Sequence, residues 1–418
     1  MKDLIKFIQS FLKNDGLFVF LSFMIEKIVM LINTIFIVKM VPQDEFGRIT
    51  LIASVLAFMS PWSGFGSLQV LMKFGSAEQN EINRKQLSQK LFRNGIFYQF
   101  FLCLVFVGIA NFYTIKFEHL SWIILLFAIR LFGQFFQGHL TIDYRINGHN
   151  KKFALLNMFI NCLGLIMTFV LTSYFGGIGY MVSLAIAPFL CLFFYSKSIL
   201  KKSIERVKIL NWKIMWKYGR MESLAYFASE LLFSIDIAMI AFFMTEKDIA
   251  LYKVAIILPM NLLFIPTILF QTDFPRIVHH AEDKLFLKNY ISNYYKLFVP
   301  LCVIILGGSF FLKDYLLELF FNKSYLAGDI LFFLATITVV IAILFRVLFL
   351  NLFSAIGKFQ WNVMISMISI LSLICFDLIL IPRFQLEGAM FGFLLTYLIS
   401  GLISAVLFRK YFKNLSED

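Results

Sequence analysis

The residues of this chain that could do chemistry are a handful of charges set inside long apolar runs. Between Met221 and Met244, a stretch of membrane-crossing length, stand Glu222, Glu230 and Asp236. At about 100° per residue, Glu222, Ser229 and Asp236 fall within some 40° of one another, and Ser223, Glu230 and Ser234 make a second stripe beside them. A charge at a bilayer midplane costs roughly 2.5–3.5 kcal/mol on insertion scales, so acids placed this way face water or a partner. They could capture a coupling proton or sodium ion, or balance buried bases. Near the start of the chain, Ser22, Glu26 and Asn33 share a face in the same way, with Lys27 and Thr34 alongside.

The buried bases are as few. Arg130 lies mid-run in WIILLFAIRLFGQFFQGHLT, followed by Gln134, Gln137 and Thr141 on one continuous stripe. A guanidinium pairs with phosphate oxygens bidentately, so Arg130 reads as an anion ligand. It reads equally as a brace between helices, paired with Asp377 or an acid of the 221–244 run. Lys27 and Lys253 could receive a diphosphate, although Glu26 and Lys27 could also satisfy each other. Lys253 and Arg48 lie near helix starts, where they could simply snorkel to the interface. Arg346 and Asp377 form either a secondary ion site or a structural pair.

Pro61, Gly64 and Gly66 interrupt one apolar run, and Pro259 and Pro266 interrupt another. These read as kinks on which parts of the molecule could rock. His279 and His280 sit in a polar turn and read as solvated. The five cysteines lie in apolar runs without CxxC spacing, which argues against metal or disulfide chemistry. There is no Walker lysine motif, GxSxG or HExxH, so an enzyme reading has nothing to stand on.

These residues are positioned by membrane spans. The chain is 60% hydrophobic and 15% charged, and apolar runs of about 20 residues recur from end to end. The fold class expected is all-α and integral to the membrane, with twelve spans at roughly 17–38, 49–72, 94–113, 122–142, 153–173, 178–196, 221–244, 249–274, 295–312, 328–352, 361–381 and 388–408. The start, MKDLIKFIQSFLKNDG, reads as a short basic amphipathic segment rather than a cleavable signal. With both termini cytoplasmic, inner segments hold 27 of the 38 Lys and Arg, outer loops seven, and spans the remaining four. That asymmetry orients the protein and puts its +13 net charge against anionic lipid rather than nucleic acid.

Two halves repeat. VPQDEFGRITLIASVLAFMSPWSGFGS matches MTEKDIALYKVAIILPMNLLFIPTILF at an offset of 203, pairing Glu45 with Asp248, Lys27 with Glu230 and Asn33 with Asp236. Later, Gly148 pairs with Gly357 and Gly179 with Gly388, both at an offset of 209. The expected organisation is an N-terminal six-helix lobe over 1–196, a basic cytoplasmic connector over 197–220 and a C-terminal six-helix lobe over 221–418. The polar faces of spans one and seven would look at each other across a central cavity.

The corner PQDEFGRI, its echo EKDIALYKVA and the terminal LIPRFQLEGAMFGFLLTYLIS are similar to those of Wzx-type O-antigen and capsule flippases. These form the polysaccharide-transporter branch of the multidrug/oligosaccharidyl-lipid/polysaccharide exporter superfamily. The resemblance covers the whole chain in span count and 6+6 plan, but Ala250 stands where that pattern has a glycine. It implies alternating access by two six-helix lobes in a bacterial inner membrane. The cargo would be an undecaprenyl-diphosphate-linked oligosaccharide, turned over to the outer leaflet for O-antigen, lipopolysaccharide or capsule. The diphosphate would be received by Lys27, Lys253 and Arg48. Coupling to a proton or sodium ion would go with it, and partners would include the pathway's polymerase and chain-length regulator. Two alternatives stand beside it: a cation-coupled multidrug exporter, for which the buried acids speak, and a membrane polysaccharide polymerase, whose long outer loop is missing here.

Overall fold

In lipid every backbone N–H and C=O must find a partner within its own segment, which leaves helices as the economical solution for a chain this apolar. The computed structural model describes residues 16–195, 212–232 and 234–415. All its elements are helical, with no strand among the described residues. The N-terminal segment 1–15 and the first part of the connector, 197–211, lie outside them.

Nine described helices are long and apolar enough to cross a membrane, or ten when the bent pair Trp212–Leu232 and Ile235–Phe243 counts as one span. Two of the nine, Asn150–Phe194 and Gln360–Lys413, run to 45 and 54 residues, where one crossing needs about 20. Each is broken once, at Gly176 (φ 58°, ψ −140°) and at Gln385 (φ 54°, ψ −132°). Counting each as two crossings, twelve spans fit the chain.

The 209 offset is a backbone property. Gly176 and Gln385 are themselves 209 apart. Gly148 and Gly357 both take positive φ, 72° and 76°. A Cβ on Gly179 would lie 2.0 Å from the Leu171 carbonyl oxygen, and one on Gly388 2.2 Å from that of Leu380. Both glycines let a helix start press against the turn eight residues earlier. The 203 offset marks matching helix starts: Asp44 and Glu45 open Gln43–Met59, and Glu246 and Asp248 open Glu246–Asn261. Acids there suit the positive end of the helix dipole, and Asp248 also closes a capping box with Thr245.

By compactness the chain divides into Met1–Glu230 and Leu231–Asp418. The helix Trp212–Leu232 therefore goes largely with the first unit, because its apolar face finds partners there. Met215 is buried with Val70, Leu71, Leu87, Leu91 and Ile146, Trp216 packs edge-on to Tyr98, and Phe227 meets Phe58 and Trp62. The second unit has its own core, in which Phe270, Leu287, Phe298, Val339, Phe353 and Phe408 are buried together.

Candidate functional sites

In the first unit, span two loses its helix where Pro61, Gly64 and Gly66 fall. Ser63 is extended (ψ 125°), and Gly64, Phe65 and Gly66 follow with φ of 61°, 54° and 91°. Backbone groups exposed by the break are met by side chains, as they must be in an apolar setting. Buried Gln99, on the helix Glu81–Asn111, accepts from the Gly64 N–H (2.8 Å) and the Ser63 hydroxyl (3.0 Å) and donates to Leu131 O (2.6 Å). Gln69 donates to Pro61 O (3.1 Å), and Ser60 donates to Gln134 Oε1 (3.3 Å). Gly66 also touches the backbone of Gly219; a Cβ on either would come within 2.5 Å of the other. Span eight breaks more mildly, between Asn261 and Phe264, with Pro259 before the gap and Pro266 after it.

Arg130 is half-buried, and its Nη1 donates to Leu184 O at 2.8 Å. The helical donor for that carbonyl would be the N–H of residue 188, which is Pro188. Arg130 thus completes a backbone bond that a proline removes, with Tyr180 in electrostatic reach. Neither of the acid partners expected for it is engaged among the described residues. Glu26 accepts from Asn157 (2.9 Å), whose backbone carbonyl in turn accepts from Asn161 (2.8 Å). Exposed Lys27 lies in electrostatic reach of Glu230, the residue it matches at offset 203. Arg48 pairs with Asp44 one turn away at 3.0 Å. Gln137 and Glu222 are half-buried. A further polar group had no sequence signal: His139, 1% exposed, whose Nε2 lies 3.2 Å from the Ser88 hydroxyl, while Ser88 donates to Asp143 at 2.7 Å and the Tyr195 hydroxyl sits 3.3 Å from His139 Nδ1.

The second unit brings the remaining intramembrane charges together. Asp236, 1% exposed, accepts from its neighbour's N–H at Ile237 (2.8 Å) and from the Tyr252 hydroxyl (2.5 Å), with Lys253 in electrostatic reach. Asp377, wholly buried, is electrostatically coupled to Asp236, but neither of its carboxylate oxygens has a hydrogen-bond partner among the described residues. Its Oδ1 occupies the space that a Cβ on Gly392 would fill, 2.7 Å away. Buried Arg346 lies in a π-helical turn, Ala342–Val347, with its guanidinium 4.9 Å from the centre of the Tyr397 ring. Tyr397 is also coupled to Asp236, and its hydroxyl, like that of Thr396 beside it, has no hydrogen-bond partner among the described residues. Tyr252, Thr396 and Tyr397 escaped the sequence reading because aromatic and hydroxyl residues in apolar runs look like ordinary packing. His279 and His280 are exposed; His280 Nδ1 lies 3.0 Å from Arg276 O, and its ring stacks on Phe286.

No three His, Cys, Asp or Glu side chains gather among the described residues. Two neighbouring carboxylates, one of them bare, suit a single proton or one sodium ion with hydroxyl oxygens completing its shell.

Comparison with solved structures supplies the fold. Lipid II flippase MurJ in an inward closed conformation matches 95% of this chain and 89% of its own length at 15% identity, TM-score 0.74. An outward-facing MATE-family multidrug transporter of the MOP superfamily matches 96% of each chain at 14% identity, TM-score 0.60. A MOP-superfamily transporter from Pyrococcus furiosus, described as having a binding pocket of reversed polarity, matches 96% of this chain and 95% of its own at 13% identity, TM-score 0.56. A search of the curated proteins finds no match to this sequence. The family described as "Polysaccharide biosynthesis protein" matches residues 36–328, more than half of the sequence. The chain is therefore a multi-pass membrane protein that belongs to the polysaccharide biosynthesis protein family and carries the fold of the MOP superfamily.

Proposed function

We propose that the protein is a flippase that moves undecaprenyl-diphosphate-linked oligosaccharide repeat units from the cytoplasmic to the outer leaflet of a bacterial inner membrane, for O-antigen or capsule. The observation that carries this reading is the coincidence of a polysaccharide-biosynthesis family match with the fold of MurJ, itself a lipid II flippase. The physical task fits. A diphosphate-sugar head cannot cross hydrocarbon alone, and basic side chains in a wet path remove much of its desolvation cost. Exposed Lys27 is the first candidate to receive the diphosphate, with Lys253 and Arg48 beside it in role; Arg130 and Gln134 act as supports. Transport proceeds by alternating access, with the breaks at Pro61–Gly66 and Pro259–Pro266 as hinges. It is coupled to one monovalent cation held between Asp236 and Asp377.

The acids also keep a cation-coupled multidrug exporter in play. Deleting the gene in its host separates the two. Loss of surface glycan, with complete lipid-linked repeat units held on the cytoplasmic side and no rescue by Lys27→Ala, is the expected result. Intact glycan with new sensitivity to cationic dyes would instead establish the exporter, and translocated single repeats without polymer would point to a polymerase.

A further inference from the structure

Each unit sets an arginine of its fourth span beside a tyrosine of its sixth: Arg130 near Tyr180, and Arg346 over Tyr397. Their surroundings differ. Arg130 is tied to the carbonyl that Pro188 leaves without a donor. The second arginine meets no such carbonyl. There is no proline from Arg383 to the end of the chain, and the carbonyls of Tyr397 and Ser400 already accept from Ser400 (3.1 Å) and Ser404 (2.6 Å) in addition to serving the helix. Arg346 is 7% exposed and its Nη1 has no hydrogen-bond partner. A buried guanidinium with an unpartnered Nη1 thus lies in the same unit as a buried carboxylate, Asp377, whose two oxygens have no partner among the described residues.

Both side chains border the same stretch of one helix. The Arg346 backbone runs past Gly401, and the Asp377 carboxylate sits at Gly392. Tyr397 lies between them on that helix, its ring leaning back towards the helix start and 4.7 Å from that of Phe393. The guanidinium held at that ring is about one helical turn from the level of Gly392, within the sweep of a side chain with four rotatable torsions. Formal charges of the group, Asp236 and Asp377 against Lys253 and Arg346, sum to zero before any cation enters. Lys253 and the Tyr252 hydroxyl attend to Asp236; among the described residues no group hydrogen-bonds Asp377.

We infer that Arg346 is a built-in substitute for the coupling cation: it stacks on Tyr397 when the cation is at Asp377 and swings onto Asp377 when the cation leaves. The inference rests on the cation coupling proposed above. Arg346 then sets the affinity of the site, because every cation that binds must displace a guanidinium, and the empty transporter can reset without a naked buried carboxylate.

The test is equilibrium binding on the purified full-length protein in detergent. Sodium is titrated at fixed pH and ionic strength against potassium and choline, and proton release is followed with a dye in parallel, so that the two cations are told apart. Arg346→Gln should bind the cation about tenfold or more tightly, since a competing positive charge is gone. Arg346→Lys, keeping the charge, should stay within about threefold of wild type. Tyr397→Leu, which removes the ring that parks the guanidinium, should weaken binding about tenfold. Opposite signs for the two neutral substitutions cannot come from general damage. Equal affinities in wild type, Arg346→Gln and Tyr397→Leu would overturn the role of Arg346 and leave the coupling intact. No response to either cation in any of the proteins would overturn the coupling itself, and this inference with it.

Discussion

Arg130 offers a stringent test because its role is written into two positions rather than one. The wild-type bond from its Nη1 to Leu184 O replaces the N–H that Pro188 cannot supply. Arg130→Ala removes that donor and leaves a carbonyl unsatisfied in an apolar interior, a loss of about 1.5–3 kcal/mol for a charge-assisted bond. Pro188→Ala restores a helical N–H at the right residue. Alone it should change stability by less than about 1 kcal/mol, since the carbonyl has two lone pairs and can take both donors. In the double variant the new N–H should recover about 1–2 kcal/mol of the loss, near the upper range of couplings measured between polar groups in membrane helices. Unfolding in mixed micelles, read by tryptophan emission, gives the four free energies, and a transport assay on the same variants gives the second axis. If Arg130→Ala leaves stability unchanged and abolishes transport, and Pro188→Ala rescues neither, the brace argument is wrong and Arg130 is a ligand.

Three further outcomes follow from the geometry. Gln99→Leu should strip the break in span two of the acceptor for Gly64 N–H and Ser63 and destabilise the protein by about 2–3 kcal/mol in the same unfolding measurement; Gln99→Glu, which keeps the accepting oxygen, should cost less. Gly219→Ala would normally strengthen a helix by about 1 kcal/mol, yet here its Cβ would lie 2.5 Å from Gly66 O, so a lowered unfolding midpoint is expected, and a raised one would mean that the two backbones do not touch. Lys313→Met breaks an ion pair with Asp329 between two partly exposed side chains and should lower the unfolding midpoint only slightly at low salt and not measurably in high salt.

The spans were legible in the sequence because hydrocarbon thickness and backbone satisfaction leave a chain little choice. The 209 repeat was legible for a related reason. Gly179 and Gly388 occupy places where any Cβ would strike a carbonyl, so the backbone geometry of the two halves is stamped on residue identity. The division by compactness after Glu230 reports a different property from charge. The basic connector marks where charge changes, whereas compactness depends on where Met215, Trp216 and Phe227 find apolar partners, and no count of charges reports that.

The polar groups divide along a similar line. Charged residues in apolar runs announce themselves by their cost, so Arg130, Asp236, Arg346 and Asp377 were found at once. Their partners were not, since those partners are a backbone carbonyl freed by Pro188, a Tyr252 hydroxyl and a Tyr397 ring. Sequence reading weighed an acid partner against an anionic ligand for Arg130, and an ion site against a pair with Asp377 for Arg346. The fold instead gives one arginine a carbonyl and the other a ring, and among the described residues Asp377 accepts no hydrogen bond. An arginine satisfied by backbone is fixed in place, whereas one held only by a ring face can exchange that contact for a carboxylate at small cost. That asymmetry between two related units is what makes the second one suited to hold and release a cation.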